Sequence, residues 1–161
     1  MQLLLLRHGQ AEDRNMLDQT DFSRALLEKG HAQARNAARI LLESQSLPEI
    51  VLCSPLVRAR ETAETFTQAA GIPGPLIQSW LASGMAPETA LEELRGFIDF
   101  NTLMLVGHEP DFSHLVQSLL GAAADSVEIR KGSLTCLEIS PPSRHAKLRY
   151  LIPFKLAKHI D

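Results

Sequence analysis

Four residues able to handle an anion follow apolar runs in this chain. Arg7 and His8 come directly after Gln2–Leu6, Arg58 shortly after Ile50–Cys53, and His108 after Leu103–Val106 with Gly107 between. A histidine at the mouth of a strand can serve as a nucleophile, and each planar guanidinium can hold two phosphoryl oxygens. Gly9, next to His8, would let backbone N–H groups approach the same anion. Such a set points to phosphoryl chemistry. A neutral His8 would attack phosphorus in line with the leaving group, forming a covalent phosphohistidine that water later hydrolyses. The other ring nitrogen should then donate to a backbone carbonyl or a similar acceptor, fixing the tautomer. Arg7, Arg58 and His108, the last donating when protonated, would stabilise charge on the equatorial oxygens without a metal or other cofactor. No carboxylate cluster suited to magnesium is visible.

The elements that must position these residues alternate between strand and helix patterns. Strands are predicted at 2–6, 50–53 and 103–106, with a short one at Leu76–Ile77. Helices are predicted from Leu26 to Ser44, from Pro55 as first helical residue to Ala69, from Pro87 towards Phe100, and after an Asp111 cap. Leu134–Ile139 and Leu148–Ile152, separated by Ser140–Arg144, read as two strands joined by a turn. Repeated βα units with right-handed crossovers predict a three-layer α/β/α sandwich with a mainly parallel sheet and antiparallel edge strands. In such sheets ligands bind outside the carboxyl ends of the strands, where the four residues would converge.

The same residues resemble the histidine phosphatase superfamily, and within it the small SixA-type phosphohistidine phosphatases. The resemblance rests on Arg7-His8-Gly9, on the Ser-Pro-x-x-Arg-Ala-x-x-Thr stretch from Ser54 to Thr62, and on the late His108, in that order. It implies a phosphoglycerate mutase-like fold, His8 as the phosphoryl-accepting nucleophile, and Arg7, Arg58 and His108 as the cradle for the oxygens. Arg24, in Ser23-Arg24-Ala25-Leu26, resembles the family's Arg-Pro-Leu segment and would reach substrate, although Ala25 stands where the proline would be. The resemblance also implies a bacterial source and a phosphohistidine-bearing protein, such as a histidine phosphotransfer or phosphorelay protein, as the partner.

The leaving group separates the branches. Relatives acting on phosphate esters place a carboxylate in mid-chain as general acid, but the comparable stretch, Gln78 to Ala86, has no Asp or Glu. An imidazole protonated on its distal nitrogen departs neutral, with a conjugate acid of pKa about 6.5, and needs no such help. The missing acid favours phosphohistidine over an alkyl phosphate. Glu109, beside His108, is the candidate acid that would restore ester chemistry, while Glu12 and Asp13 read as solvated loop charges. Gln10 and Asn15 are polar loop residues without a firm role. Lys131 reads as a solvated turn lysine, and Trp80 either grips a partner or covers the sheet edge. His31, His114, His145 and His159 form no metal-ligand spacing.

Length and composition frame these readings. The 161 residues fit a single domain, 1–161, with no large cap insertion over the site. A formal charge of −3 argues against nucleic acid as a partner. Met1–Leu6 is too short for a signal-peptide core and no later run approaches membrane-spanning length, so a cytoplasmic protein without membrane association is expected. Cys53 and Cys136 read as packed, reduced thiols. The function expected is a metal-independent phosphohistidine phosphatase. The alternatives are a small-molecule phosphomonoesterase with the same nucleophile, a non-catalytic phosphate-binding adaptor, and, more remotely, a cofactor-free mutase.

Overall fold

Leucines alternate between the two faces of the central strand, and this alternation divides the core in two. The computed structural model describes residues 1–13, 21–157 and 159. Strand β1 (Gln2–Arg7) sends Leu3 and Leu5 to one face and Leu4 and Leu6 to the other, all four with no exposed surface. A strand apolar on both faces must be covered on both faces, which is why the sheet is sandwiched.

The remaining strands are β2 (Ile50–Cys53), β3 (Leu76–Ile77), β4 (Thr102–Gly107), β5 (Leu134–Ile139) and β6 (Ala146–Ile152). They form one sheet in the order β3-β2-β4-β1-β5-β6. β3, β2, β4 and β1 run parallel, while β5 pairs antiparallel with β1 and with β6. Helices α1 (Glu28–Glu43) and α2 (Val57–Ala70) cover one face through Ala34, Ala38, Leu41, Ala63 and Phe66. Helices α3 (Pro87–Leu94) and α4 (Asp111–Leu120) cover the other through Leu91, Leu94, Phe112, Leu115 and Val116. A short α5 (Phe154–Ala157) follows β6. The three-layer sandwich with antiparallel strands at one edge is the architecture expected from the sequence.

Several boundaries differ, each for a local reason. α1 begins at Glu28 because Leu27 is extended, with its N–H donating to the Gln10 carbonyl. Pro55 precedes α2 instead of opening it, since Leu56 is also extended, and the Ser54 hydroxyl accepts the Leu56 N–H at 3.2 Å. Asp111 is the first residue of α4 and does not cap it. Glu109 accepts the Ser113 N–H at 2.9 Å, while Asp111 accepts the N–H of Gly84, which has φ of 99°. α3 ends at Leu94 and passes into a 3₁₀ turn over Arg95–Phe97. Cys53 and Cys136 are free and buried, and burial pushes the Cys53 thiol up to about 11.

Candidate active site

β1, β2 and β4 end side by side, and the polar residues leave the sheet there. The pairs Leu6 with Val106, Arg7 with Gly107 and Cys53 with Val106 bring His8, Ser54 and His108 out along one edge. The ladder continues one step beyond the strands, His8 N–H donating to Gly107 and Ser54 N–H to Val106, each at 3.0 Å. Arg58 reaches the same place from the first turn of α2. Its Nε donates to His8 Nε2 at 3.3 Å, and the His8 and His108 rings lie 5.3 Å apart.

His8 is 5% exposed. Its Nδ1 lies 2.8 Å from the carbonyl of Gly9, and a carbonyl only accepts, so Nδ1 carries the proton and Nε2 keeps a lone pair. The acceptor anticipated from chemistry is thus the carbonyl of the next residue. Burial above all, with the charges of His108, Arg58 and Arg7, lowers the ring from 6.5 to about 3, and His8 is neutral at ordinary pH.

His108, 2% exposed, is lowered to about 4, first by burial and then by Arg58. Without a ligand the ring is thus neutral at ordinary pH and offers a single N–H, and an arriving phosphoryl anion would favour the protonated form. Its Nε2 lies 2.7 Å from Ser54 Oγ. The Ser54 hydroxyl has no other acceptor among the described residues, so its proton goes to His108 Nε2 while its oxygen accepts from Leu56, which leaves the ring proton on Nδ1. That Nδ1 has no hydrogen-bond partner among the described residues, and neither does Arg7 Nε. The other end of Arg7 is fixed by donation from NH1 to the Ile129 carbonyl at 2.7 Å. Burial opposes the Arg7 charge and Glu109 supports it.

Gly9 takes a different part from the one expected. Its N–H donates to Thr62 Oγ1 at 3.1 Å and not towards the pocket, and Thr62 in turn donates to the Arg58 carbonyl at 2.7 Å. A Cβ on Gly9 would meet Gly30 Cα at 2.6 Å and Gly30 O at 2.7 Å. Two glycines thus allow β1 and α1 to touch backbone to backbone, and Gly9 shapes the site without supplying an anion contact.

Arg24 is brought to the edge of the site by a residue the sequence did not flag. Asp21 accepts from Arg24 on Oδ1, at 3.0 and 2.8 Å, and from Arg58 NH2 on Oδ2 at 3.2 Å, while its carbonyl accepts from Arg58 NH1 at 2.7 Å. Arg24 also donates to the Glu12 carbonyl. Glu12 and Glu61 accept the backbone N–H groups of Ala25 and Leu26, and so hold this loop. Gln33 ties Gln10 to the Lys131 carbonyl. Lys131 stands in a turn, half-buried, and lines a groove with Arg7, so that turn lies beside the site. Trp80 packs against the core and donates to Gln78, as an edge cover does. Asn15 lies outside the described residues.

Ser54 and Thr62 bound the motif that carries Arg58, and their hydroxyls were the available signal for both roles. Asp21 had none, being one acid in a polar loop. Among the described residues no group of three or more His, Cys, Asp or Glu could hold a metal ion, and no helix is long and apolar enough to cross a membrane.

Comparison with known proteins gives this geometry its context. The family model of the histidine phosphatase superfamily (branch 1) matches residues 3–79, which hold Arg7, His8 and Arg58. A protein of Picosynechococcus sp., itself uncharacterised, is 30% identical over 141 residues, covering 83% of this chain and 82% of its own length. The chain belongs to the histidine phosphatase superfamily. Among solved structures, the protein histidine phosphatase SixA complexed with tungstate has a TM-score of 0.84 at 21% identity, over 96% of this chain and 98% of that one. The α-ribazole phosphatase from Shigella flexneri has a TM-score of 0.76 at 20% identity, over 96% and 97% of the two chains. At such identities the likeness is one of fold, the phosphoglycerate mutase-like α/β architecture. Membership in the superfamily makes this a chain of a phosphatase family, and neighbours of both protein-directed and small-molecule kinds share its fold.

Proposed function

We propose that this protein hydrolyses phosphohistidine on a partner protein, with His8 Nε2 as nucleophile. The observation that carries the reading is the state of the carboxylates around the site. Asp21 is held between two guanidinium groups, Glu12 and Glu61 accept loop N–H groups, and Glu109 accepts the Ser113 N–H. Each is engaged as a hydrogen-bond acceptor that holds the scaffold, and none donates to His8, Arg58 or His108.

Phosphohistidine requires no such donor. A substrate ring bearing the phosphoryl group on one nitrogen and a proton on the other gives up its phosphoryl group to His8 Nε2 and departs as neutral imidazole. The P–N bond broken is replaced by a P–N bond formed. His8, which keeps its Nδ1–H on the Gly9 carbonyl, becomes a phosphorylated imidazolium. Water then attacks phosphorus, the new P–N bond breaks, and neutral His8 and dihydrogen phosphate are released. Both steps balance without an external acid or base, whereas expulsion of an alkoxide would need a proton at the leaving oxygen.

Arg58 exchanges Asp21 and His8 Nε2 for phosphoryl oxygens as the group arrives. Arg7 Nε and His108 Nδ1 supply donors with no partner to give up. Preorganised donors of this kind act on charge as it develops and are commonly worth 10²–10³ in rate each. Arg24, tied to Arg58 through Asp21, positions the rim.

The test compares wild type with His8→Asn, in which the amide keeps the donor to Gly9 and removes the nucleophile. A phosphohistidine-bearing protein and a small phosphate ester are offered at equal concentration with chelator present. Chelator-resistant, His8-dependent loss of the protein's phosphohistidine with slow ester hydrolysis is the expected result. A second reading, a small-molecule phosphomonoesterase, is favoured by the proximity of Glu109 to Arg7. Rapid ester turnover that collapses in Glu109→Gln would establish it in place of the first. Oxyanion binding with no turnover of either substrate would point to the adaptor.

A further inference from the structure

Beside the phosphoryl pocket, an open groove of about 390 Å³ runs from Arg7 between the start of α1, the 128–131 segment and α5. Lys29, Arg130, Lys131 and Lys155 line it with Arg7, and among the described residues that line it Glu128 is the only carboxylate. Arg130 and Glu128 pair at 3.1 Å, so the excess charge resides on Arg7 and the three lysines. The whole chain carries a formal −3, so this concentration of positive charge runs against its average.

We infer that the groove is the docking surface for an acidic face of the protein that presents the phosphohistidine, its carboxylates lying along Lys29, Lys131 and Lys155 while the phosphoryl group enters beside Arg7. The inference rests on the phosphoprotein reading for the origin of that group. Three observations favour a macromolecular face over the second anionic group of a small substrate. Lys29 and Lys155 are exposed on separate helices, so their charges are spread and hydrated, which suits steering of a large anionic surface. Half-buried Pro153 and Phe154 line the groove too, and give a partner an apolar foothold next to the charges. Lys131 links the two regions: it lies within electrostatic reach of Arg7, Arg24 and Arg58, so the groove is continuous in charge with the pocket.

The test uses two fluorescent peptides that differ only in four residues flanking a central histidine, Glu in one and Gln in the other. Binding of the unphosphorylated pair is read by anisotropy at low salt, and turnover of the phosphohistidine forms is read separately. Wild type should bind the Glu peptide on the order of tenfold more tightly than the Gln peptide. The preference should vanish in the Lys29→Glu/Lys155→Glu variant and, for wild type, in salt concentrated enough to shorten the Debye length to about 3 Å. The salt arm needs no variant and so stands even if the double substitution misfolds. Equal binding of the two peptides by wild type, or a preference that survives both charge reversal and salt, overturns the groove. If the Glu peptide binds selectively but neither phosphopeptide is hydrolysed, the groove stands and the phosphohistidine reading falls. If both phosphopeptides are hydrolysed at one rate and bound equally, that reading stands and the groove falls.

Discussion

His8 has Nδ1 committed to Gly9 while Nε2 meets only the Arg58 guanidinium, and under the proposed mechanism this fixes which covalent species forms. With Nδ1 donating to Gly9, the phosphoryl group must attach at Nε2. A phosphoenzyme trapped by alkaline quench should therefore be the τ isomer in phosphorus NMR or by isomer-selective antibody, and a π-phosphohistidine would contradict the hydrogen-bond assignment. The same burial makes stability depend on pH. The folded rings of His8 and His108 titrate at about 3 and about 4, below the ordinary 6.5. Well above pH 6.5 neither the folded nor the unfolded ring is protonated. Below it the unfolded chain takes up protons that the folded rings refuse, so stability falls with pH until those rings titrate. Each ring adds up to about 1.4 kcal/mol per pH unit to that fall. Urea titrations between about pH 6 and about pH 4.5 should show a shallower loss in His8→Asn than in wild type, and parallel slopes would count against a buried neutral ring. The four main side chains were legible in the sequence because each follows an apolar run, and strand exits converge. The tautomer was not, since its determinant is a main-chain carbonyl, and Asp21 was not, since its role depends on two arginines from other parts of the chain.

At the scale of elements, the site depends on how closely β1, α1 and α2 approach. Thr62 on α2 is the joint: it accepts from Gly9 and donates to Arg58. Thr62→Val preserves shape but leaves the buried Gly9 N–H unpaired, which costs about 1–3 kcal/mol. Gly9→Ala would force α1 off β1, since no side chain but only backbone faces the added methyl, and should cost at least about 1–3 kcal/mol. Urea denaturation measures both. Wild-type stability in Gly9→Ala would show that the backbone contact can give way. Periodicity located the helices and strands, while several ends moved by one to a few residues where a backbone N–H or a capping side chain found another partner. Asp111 is such a case: its carboxylate serves Gly84, a partner invisible to spacing, and the neighbouring Glu109 covers the helix start instead.

Over the whole molecule, the pocket draws on β1, the loop before α1, α2, β4 and the turn before β5, so it exists only when these distant parts of the chain have come together. Two of its buried nitrogens, Arg7 Nε and His108 Nδ1, stand without partners, and such donors are costly to leave unpaired. An oxyanion that satisfies them binds the folded chain alone and should raise its melting temperature, by an amount equivalent to about 2.7 kcal/mol at a hundredfold excess over Kd. Tungstate or inorganic phosphate titrated in a metal-free thermal scan checks this, and an unchanged melting temperature would mean that the two donors do not face a common ligand. Inorganic phosphate is also what the proposed reaction leaves behind. The groups that make the pocket competent for transfer therefore set a limit on turnover, because they retain the product by the same contacts. The dissociation constant read from the melting curve should match the inhibition constant of phosphate in the assay, making the enzyme sensitive to the phosphate level around it.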